Sequence, residues 1–366
     1  MSIISQNLLK LFEESTKCKR LNQAKIYTFP VIQHYAASDF EKYNGYAQNI
    51  LNCSNDLKLR ICTEIGQLGV TAKSSIENAR WCRCRQCPMC QLARSSKIRA
   101  KLFKAFKDFD FGDETSYSFL TLTLQNCPLD ELRETIGLMN SAWDKFSRRR
   151  TFPVTGYLRS LEVTMQRDRM PWDKKKNTGP PSRSSDDQLM AHPHFHILLR
   201  TADGFDRHTK DKPWLIGQWA SALRAGYFPS IDIKKVRPTS LSFADTLLEV
   251  AKYTVKPSEF SDVHSPVRKS KFCSTAPEAP KYRPHGAEWL YGITEQLHNL
   301  RAYRLGGTFA KILSQDEINR IDDSIGDSNE QSQIGNLIRL VWNDVRNKYD
   351  VKAGDYSDEY EDDDDC

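Results

Sequence analysis

No run of apolar residues in this chain approaches the ~20 needed to cross a bilayer. The N-terminal stretch interleaves Glu13, Glu14, Lys17, Lys19 and Arg20 without an apolar core. Neither a membrane span nor a secretory leader is expected. The sequence also lacks an internal repeat, and it has no Walker A loop to cradle a nucleoside triphosphate. What remains is a chain of 366 residues, 39% hydrophobic and 27% charged, a composition expected of a soluble protein of about two domains.

Charge of one sign is scarce except at one place. The segment from Asp355 to Cys366 holds eight acids and no Lys or Arg, and it is expected to be an acidic, disordered tail. The net charge is +6, and setting those eight acids aside leaves +14 on the other 354 residues. Such an excess suits a polyanion, most commonly nucleic acid. Cysteine is unevenly spread: Cys82, Cys84, Cys87 and Cys90 crowd together, while Cys18, Cys53, Cys62, Cys127, Cys273 and Cys366 are scattered. Without a leader, that pattern predicts reduced thiols, a metal knuckle and a cytoplasmic location.

The first ~50 residues are largely unreadable beyond one helical stretch around Leu8 to Phe12. A Cys-bearing segment follows, then a basic helix ending near Lys107. The middle is clearer. Ser116 to Gln125 reads as a strand, and the stretch from Pro128 carries Leu132, Ile136, Met139, Trp143 and Phe146 at helical spacing. Gly156 to Gln166 and His194 to Arg200 read as strands joined by a long polar loop, Asp168 to Met190. Trp214 to Gly226 predicts a helix, the stretch after it a strand, and Phe243 to Lys256 a helix stopped by Pro257. The last segment, with Ile334, Leu337, Ile338, Val341 and Val345 on one face, predicts another helix. The order β-α-β-β-α-β is that of an α+β, ferredoxin-like (split βαβ) antiparallel sheet.

Two residues apart on one strand, His194 and His196 leave the same face of the sheet. Two neutral imidazoles side by side suit a divalent ion. Glu162, on the strand expected to pair with theirs, adds a hard oxygen. Four apart on the expected helix, Glu249 and Tyr253 share a face. A phenol can attack phosphorus covalently, helped by a cationic neighbour such as Lys252 or Lys256.

These residues carry a resemblance. SFLTLTLQN, a Glu-bearing strand, HPHFHILL and EVAKYTVKP, in that order, resemble the motif set of rolling-circle plasmid replication initiator (Rep) proteins of the HUH endonuclease superfamily, single-tyrosine branch. The resemblance spans about Cys62 to Phe260. It implies a metal-dependent nick in one strand of plasmid origin DNA, single-stranded or in a hairpin, with tyrosine left on the 5′-phosphate. His194 and His196, with Glu162 less strongly, match the metal site, which in this family takes Mg²⁺ or Mn²⁺. Tyr253 matches the nucleophile, and Glu249 the group that activates water for the terminating cut. A host helicase and polymerase are the implied partners. The stretch RWCRCRQCPMCQLAR resembles the cysteine segment of these initiators, with Cys82, Cys87 and Cys90 matched and Cys62 preferred as a fourth ligand for structural Zn²⁺. Arg80, Arg83, Arg85 and Arg94, interleaved with it, are candidate phosphate contacts.

The expected organisation is an N-terminal extension (1–50), a zinc module with basic helix (51–110), an HUH nicking and joining domain (111–260), a helical region (261–350) and the acidic tail (351–366). Two alternatives stay open: a related HUH transposase or relaxase, and a non-catalytic zinc-dependent DNA-binding regulator.

Overall fold

The computed structural model describes residues 12–66, 69–107, 115–165, 189–202, 212–237, 241–252, 254–260, 284–323 and 336–352. In chain order the helices are α1 (Thr16–Ile26), α2 (Thr28–Ala36), α3 (Glu41–Leu51), α4 (Pro88–Lys107), α5 (Leu132–Ser147), α6 (Lys212–Leu223), α7 (Leu241–Val250), α8 (Pro284–Gln296), α9 (Phe309–Ile312) and α10 (Gln315–Asp323). The strands are β1 (Asp56–Gly66), β2 (Gly69–Ala79), β3 (Thr115–Thr123), β4 (Cys127–Pro128), β5 (Val154–Met165), β6 (Met190–Ala202), β7 (Ile231–Val236), β8 (Tyr303–Gly307), β9 (Asn336–Asn343) and β10 (Lys348–Lys352). The result is an α+β protein whose strand pairs are all antiparallel. The chain divides into two compact units.

The first unit holds α1 to α3 and a four-stranded sheet in the order β10-β9-β1-β2. Leu57, Leu59 and Ile61 alternate along β1 and are all buried, the period of two that a strand imposes on one covered face. Of the helix expected over Ile334 to Val345, the described residues, from Asn336 on, are instead β9 and the turn after it. Leu57 pairs with Leu340 and Leu59 with Ile338. Val345, which would have completed the helical face, is 80% exposed. Ile338, Val341 and Trp342 are β-branched or aromatic, and pairing with β1 and β10 on both sides outweighs a short stretch of helical spacing. From Phe12 to Leu51, where little can be read from the sequence, the chain forms three helices, and the helical stretch expected around Leu8 lies outside the described residues; Ser15 caps α1, its hydroxyl accepting the Cys18 N–H at 3.2 Å.

The second unit is built on a sheet in the order β7-β3-β6-β5-β8, with β4 also on β6. One face carries α5, whose Leu132, Ile136, Met139, Trp143 and Phe146 are buried as the periodicity predicts. On the other face Tyr117, Leu158 and Leu198 join Ile98, Leu102 and Phe106 of α4 and Phe243, Leu247 and Val250 of α7 in one apolar cluster. The region expected to be helical beyond residue 261 also supplies β8, which pairs with β5 at the sheet edge.

The helix expected from Phe243 to Lys256 ends at Val250. The reason is tertiary: the Lys252 carbonyl accepts from Tyr303 Oη at 2.7 Å, and the Thr254 carbonyl accepts from the Val163 N–H at 2.7 Å. Backbone tied to β5 and β8 in this way is not free to continue a helix. The loop Asp168 to Met190, apart from its last two residues, and the acidic tail beyond Lys352 lie outside the described residues.

Gly307 closes β8 with φ +59, and a Cβ there would lie 2.1 Å from the Thr155 carbonyl oxygen. Gly137 sits exposed inside α5 with nothing within 4 Å of a Cβ. Gly307→Ala should therefore lose about 2 kcal/mol or more of unfolding free energy, and Gly137→Ala should gain about 0.5–1 kcal/mol. Urea denaturation midpoints of the two variants should move in opposite directions.

Candidate metal centres

Antiparallel pairing of β5 with β6 sets Glu162 directly opposite His194, and Ser160 opposite His196. All four side chains leave the face that carries the apolar cluster, but further along the strands, where α7 has ended. Thr121 and Thr123 of β3 stand opposite His196 and His194 on the other side. Both imidazoles converge on one oxygen: His196 Nε2 lies 2.8 Å and His194 Nε2 3.3 Å from Glu162 Oε2. The second oxygen, Oε1, forms an ion pair with Lys256 Nζ at 2.9 Å. Glu162 is only 4% exposed, so burial alone would push its carboxyl up. Hydrogen bonds from His194, His196 and Lys256 outweigh that and hold it well below the usual carboxylate range. Lys256 is raised in turn: burial opposes its charge, and Glu162, with Glu259 and Glu249 nearby, more than offsets it.

The ring nitrogens that face away are also tethered. His194 Nδ1 is 3.3 Å from the His192 carbonyl, and His196 Nδ1 is 3.3 Å from Thr121 Oγ1. A carbonyl can only accept, so the His194 Nδ1–H donates to it; this orients the ring and makes Nε2 the atom that a cation would meet in place of the contact with Glu162. The Phe119 ring stacks on His196 at 5.5 Å, fixing its plane. Two imidazole nitrogens and a carboxylate oxygen, all within 4.8 Å of one another, form a mixed N/O donor set suited to a divalent cation.

Of the other sequence-predicted residues, Glu249 is in the last turn of α7 and pairs with Lys252. Tyr253 lies outside the described residues, and the expected sharing of a helical face with Glu249 lies outside them with it; α7 itself ends at Val250. Thr121 and Asn126, at the end of the first motif strand, and His192, the flank of the histidine pair, also lie beside the site. Asn126 Oδ1 is 2.6 Å from His192 Nδ1. The signal for these was register: Thr121 occupies the position across from a motif histidine.

The first unit holds a second donor set. Cys53, Cys82, Cys87 and Cys90 bring their sulfurs within 4.8 Å of one another. Cys53 to Cys90 is 3.7 Å, Cys82 to Cys90 3.5 Å and Cys87 to Cys53 3.7 Å. A tetrahedral thiolate site with metal–sulfur bonds of ~2.3 Å has sulfur–sulfur edges of about 3.8 Å. The distances therefore match a metal cage and are far too long for disulfides. The fourth position is taken by Cys53, not by Cys62, which sits in β1 at the register of Lys73. Cys53 was missed because it stands 29 residues before Cys82, without a local motif.

The Cys53 loop is held from several sides. Lys25 Nζ donates to the Cys53 carbonyl and to Asn55 Oδ1, each at 2.6 Å. Tyr349 Oη donates to the Ser54 carbonyl at 2.6 Å, and the Ser54 N–H to the Arg80 carbonyl at 2.7 Å. Ser54 itself has φ 55. Among the basic residues of the segment, Arg80 and Arg83 are exposed and Arg85 is half-buried. Arg94 is buried, which removes it from the surface a phosphate would meet.

The fold and these two clusters define an α+β protein with donor sets for two metal ions, and comparison with known proteins gives its family. The family model for Rep_1, replication protein, matches residues 73–350. The chain belongs to this replication-protein family. It is similar to a protein named Protein rep from Streptococcus pneumoniae serotype 2 (strain D39 / NCTC 7466), 24% identical over 335 residues, covering 86% of this chain and 88% of that one. A Protein rep from Bacillus sp is 25% identical over 251 residues, 62% of this chain and 73% of its own. A Protein rep from Staphylococcus aureus is 26% identical over 196 residues, 51% and 75% respectively. No solved structure matches the chain. No described helix is long and apolar enough to cross a membrane.

Cys53→Ser should lower the metal bound per chain as measured by elemental analysis, whereas Cys62→Ser should leave it unchanged. Equal losses from both would return Cys62 to the site.

Proposed function

We propose that the chain initiates rolling-circle replication of a plasmid by nicking one strand at the double-strand origin, with Tyr253 as nucleophile. The observation that carries this reading is the Glu162 carboxylate shared by His194 and His196 on the open end of a sheet, in a chain of the replication-protein family. The strand order β7-β3-β6-β5, with α5 joining β3 to β5 and α6 joining β6 to β7, supports a ferredoxin-like, split-βαβ reading of the nicking domain. The sequence on both sides of Tyr253 is anchored next to the site, since Thr254 bonds to Val163, the neighbour of Glu162.

His194, His196 and Glu162 would hold Mg²⁺ or Mn²⁺. Bound there, the cation supplies charge to polarise the phosphate and stabilise the departing oxygen. The protein's own residues do the rest. Glu162 and the tethered Nδ1 atoms keep both imidazoles aimed at one point. The Tyr253 phenol oxygen attacks phosphorus and gives up its proton; the bond from phosphorus to the 3′-oxygen breaks, and that oxygen leaves as a 3′-OH. The 5′-phosphate stays esterified to the tyrosine, and the 3′-OH is the primer for a host polymerase, with a host helicase opening the duplex. Lys256 and Lys252 supply positive charge close to the phosphate. Glu249 takes a proton from water in the terminating cut, so that hydrolysis leaves no second protein–DNA bond.

In the first unit, Cys53, Cys82, Cys87 and Cys90 hold a structural Zn²⁺, and the exposed Arg80 and Arg83, with Arg85, face DNA phosphates. All four ligands being thiolates, the site is closed and contributes to folding rather than to chemistry.

Tyr253→Phe should abolish both nicking of a supercoiled origin plasmid and the covalent adduct seen by mass spectrometry, while origin binding persists. His194→Ala and His196→Ala should each remove divalent-cation-dependent cleavage; nicking that survives EDTA would defeat the metal reading. Glu249→Ala should still nick but accumulate products longer than one plasmid unit in a two-origin assay. Unit-length products would reduce Glu249 to the partner of Lys252.

A further inference from the structure

The histidine-bearing face of the sheet continues past β3 to the start of β7, and a different kind of residue stands there. Thr123, across from His194, gives both its N–H and its Oγ1 to the Ser230 carbonyl, at 3.3 and 2.8 Å. The Thr123 carbonyl accepts from Trp219 Nε1 at 2.8 Å, and the Gln125 N–H donates to Tyr227 Oη at 2.8 Å. The end of β3 is thus stitched to α6 and to the loop that follows it. On that loop Phe228 is 83% exposed, the highest value among the large apolar residues described, and Tyr227 beside it is 37% exposed. Pro229 follows directly and restricts the backbone of Phe228.

Scattered exposed apolar residues are ordinary. Phe228 differs in where it is and in how firmly its loop is held. Strands lie ~4.8 Å apart, so the start of β7 is about 10 Å across the sheet from β6 and its histidines. That is about three stacked nucleotide steps of ~3.4 Å, fewer if the strand is stretched. Cations flank the position: Arg224 is exposed at the head of the loop, and Lys234 is exposed on the same sheet face, 3.2 Å from Asp232. A ring almost fully exposed to solvent, on a loop already held by hydrogen bonds, with cations on either side of it in sequence and leading into a strand two places from the histidines, fits an unpaired base.

We propose that Phe228, with Tyr227 at its side, is a stacking platform for a base of the single strand within about three nucleotides of the phosphate that is cut. The proposal rests on the nicking reading for its register, and on the loop's own geometry for its existence. Stacking on a ring is tolerant of sequence, so a fluorescein-labelled oligothymidylate is a sufficient probe for the full chain. Fluorescence anisotropy should show Phe228→Ala and Phe228→Leu each binding about ten-fold more weakly, and Phe228→Trp binding as well as the native protein. The substituted side chain is exposed, and an unchanged melting temperature will show that the variants fold.

Native-like binding by Phe228→Ala overturns the platform. So does equal binding by the Leu variant, since Leu keeps the apolar bulk and lacks a π-face. A loss of self-association in sedimentation with DNA affinity unchanged would assign the ring to a second copy of the chain and likewise overturn it. Origin nicking separates the two readings. A native protein that never nicks, yet loses oligothymidylate with Phe228, would sink the initiator reading and leave the platform standing.

Discussion

A carboxylate buried in a sheet is stable only if something cationic or proton-donating meets it, and Glu162 is met on both oxygens. Two imidazoles converge on one and Lys256 reaches the other. That single contact dictates much of the second unit. It requires β5 and β6 to pair in one register, because a slip of one residue would send the histidines and the carboxylate to opposite faces. It requires the chain after α7 to leave the helix and lie along β5, so that Lys256 arrives beside Oε1. The polar end of this face follows directly on an apolar one: Leu158 and Leu198 belong to the cluster under α4 and α7, and Glu162, His194 and His196 lie further along the same strands.

The second cluster solves a different problem. The first unit has helices of nine to eleven residues and a four-stranded sheet, a modest core by itself. Four thiols at metal-cage distances gather the loop before β1 and the stretch after β2 at one point. Lys25 completes it from below: burial would lower its ammonium, and the surrounding cysteine thiolates oppose that. The buried lysine thus faces charge of the opposite sign, which makes its position tolerable.

Much of the second unit was legible in the sequence because its signals are local. Helix α5 has an apolar residue at nearly every third or fourth position, β3 and β6 are rich in β-branched or aromatic residues, and His-x-His on a strand fixes a common face without further information. Glu162 could be named from strand order alone. What was not legible depended on distant partners. Helical spacing in 334–345 was real but brief, and β1, nearly 280 residues earlier, claimed the segment as a strand. The length of α7 was overestimated because Pro257 is an obvious stop, whereas the actual stop is a pair of hydrogen bonds from Tyr303 and Val163. Cys53 lacked any local spacing that would tie it to Cys82, and Cys62 was the nearer choice in sequence only.

The first unit is assembled from both extremities of the chain. Its central strand pair joins Leu57 to Leu340, and the loop that bears Cys53 is secured by Lys25 on one side and Tyr349 on the other. During synthesis the helices and β1 emerge early but have no β9 or β10 to pair with until the whole second unit has left the ribosome. The exposed edge of β1 and the Cys53 loop must wait through translation of the entire second unit, which can fold in the meantime because its strands β3 to β7 are consecutive. A ribosome that stops between Asp323 and β9 therefore releases a product with a folded second unit and an unfinished first one. Completion of the first unit thus becomes a physical record that translation has passed β10.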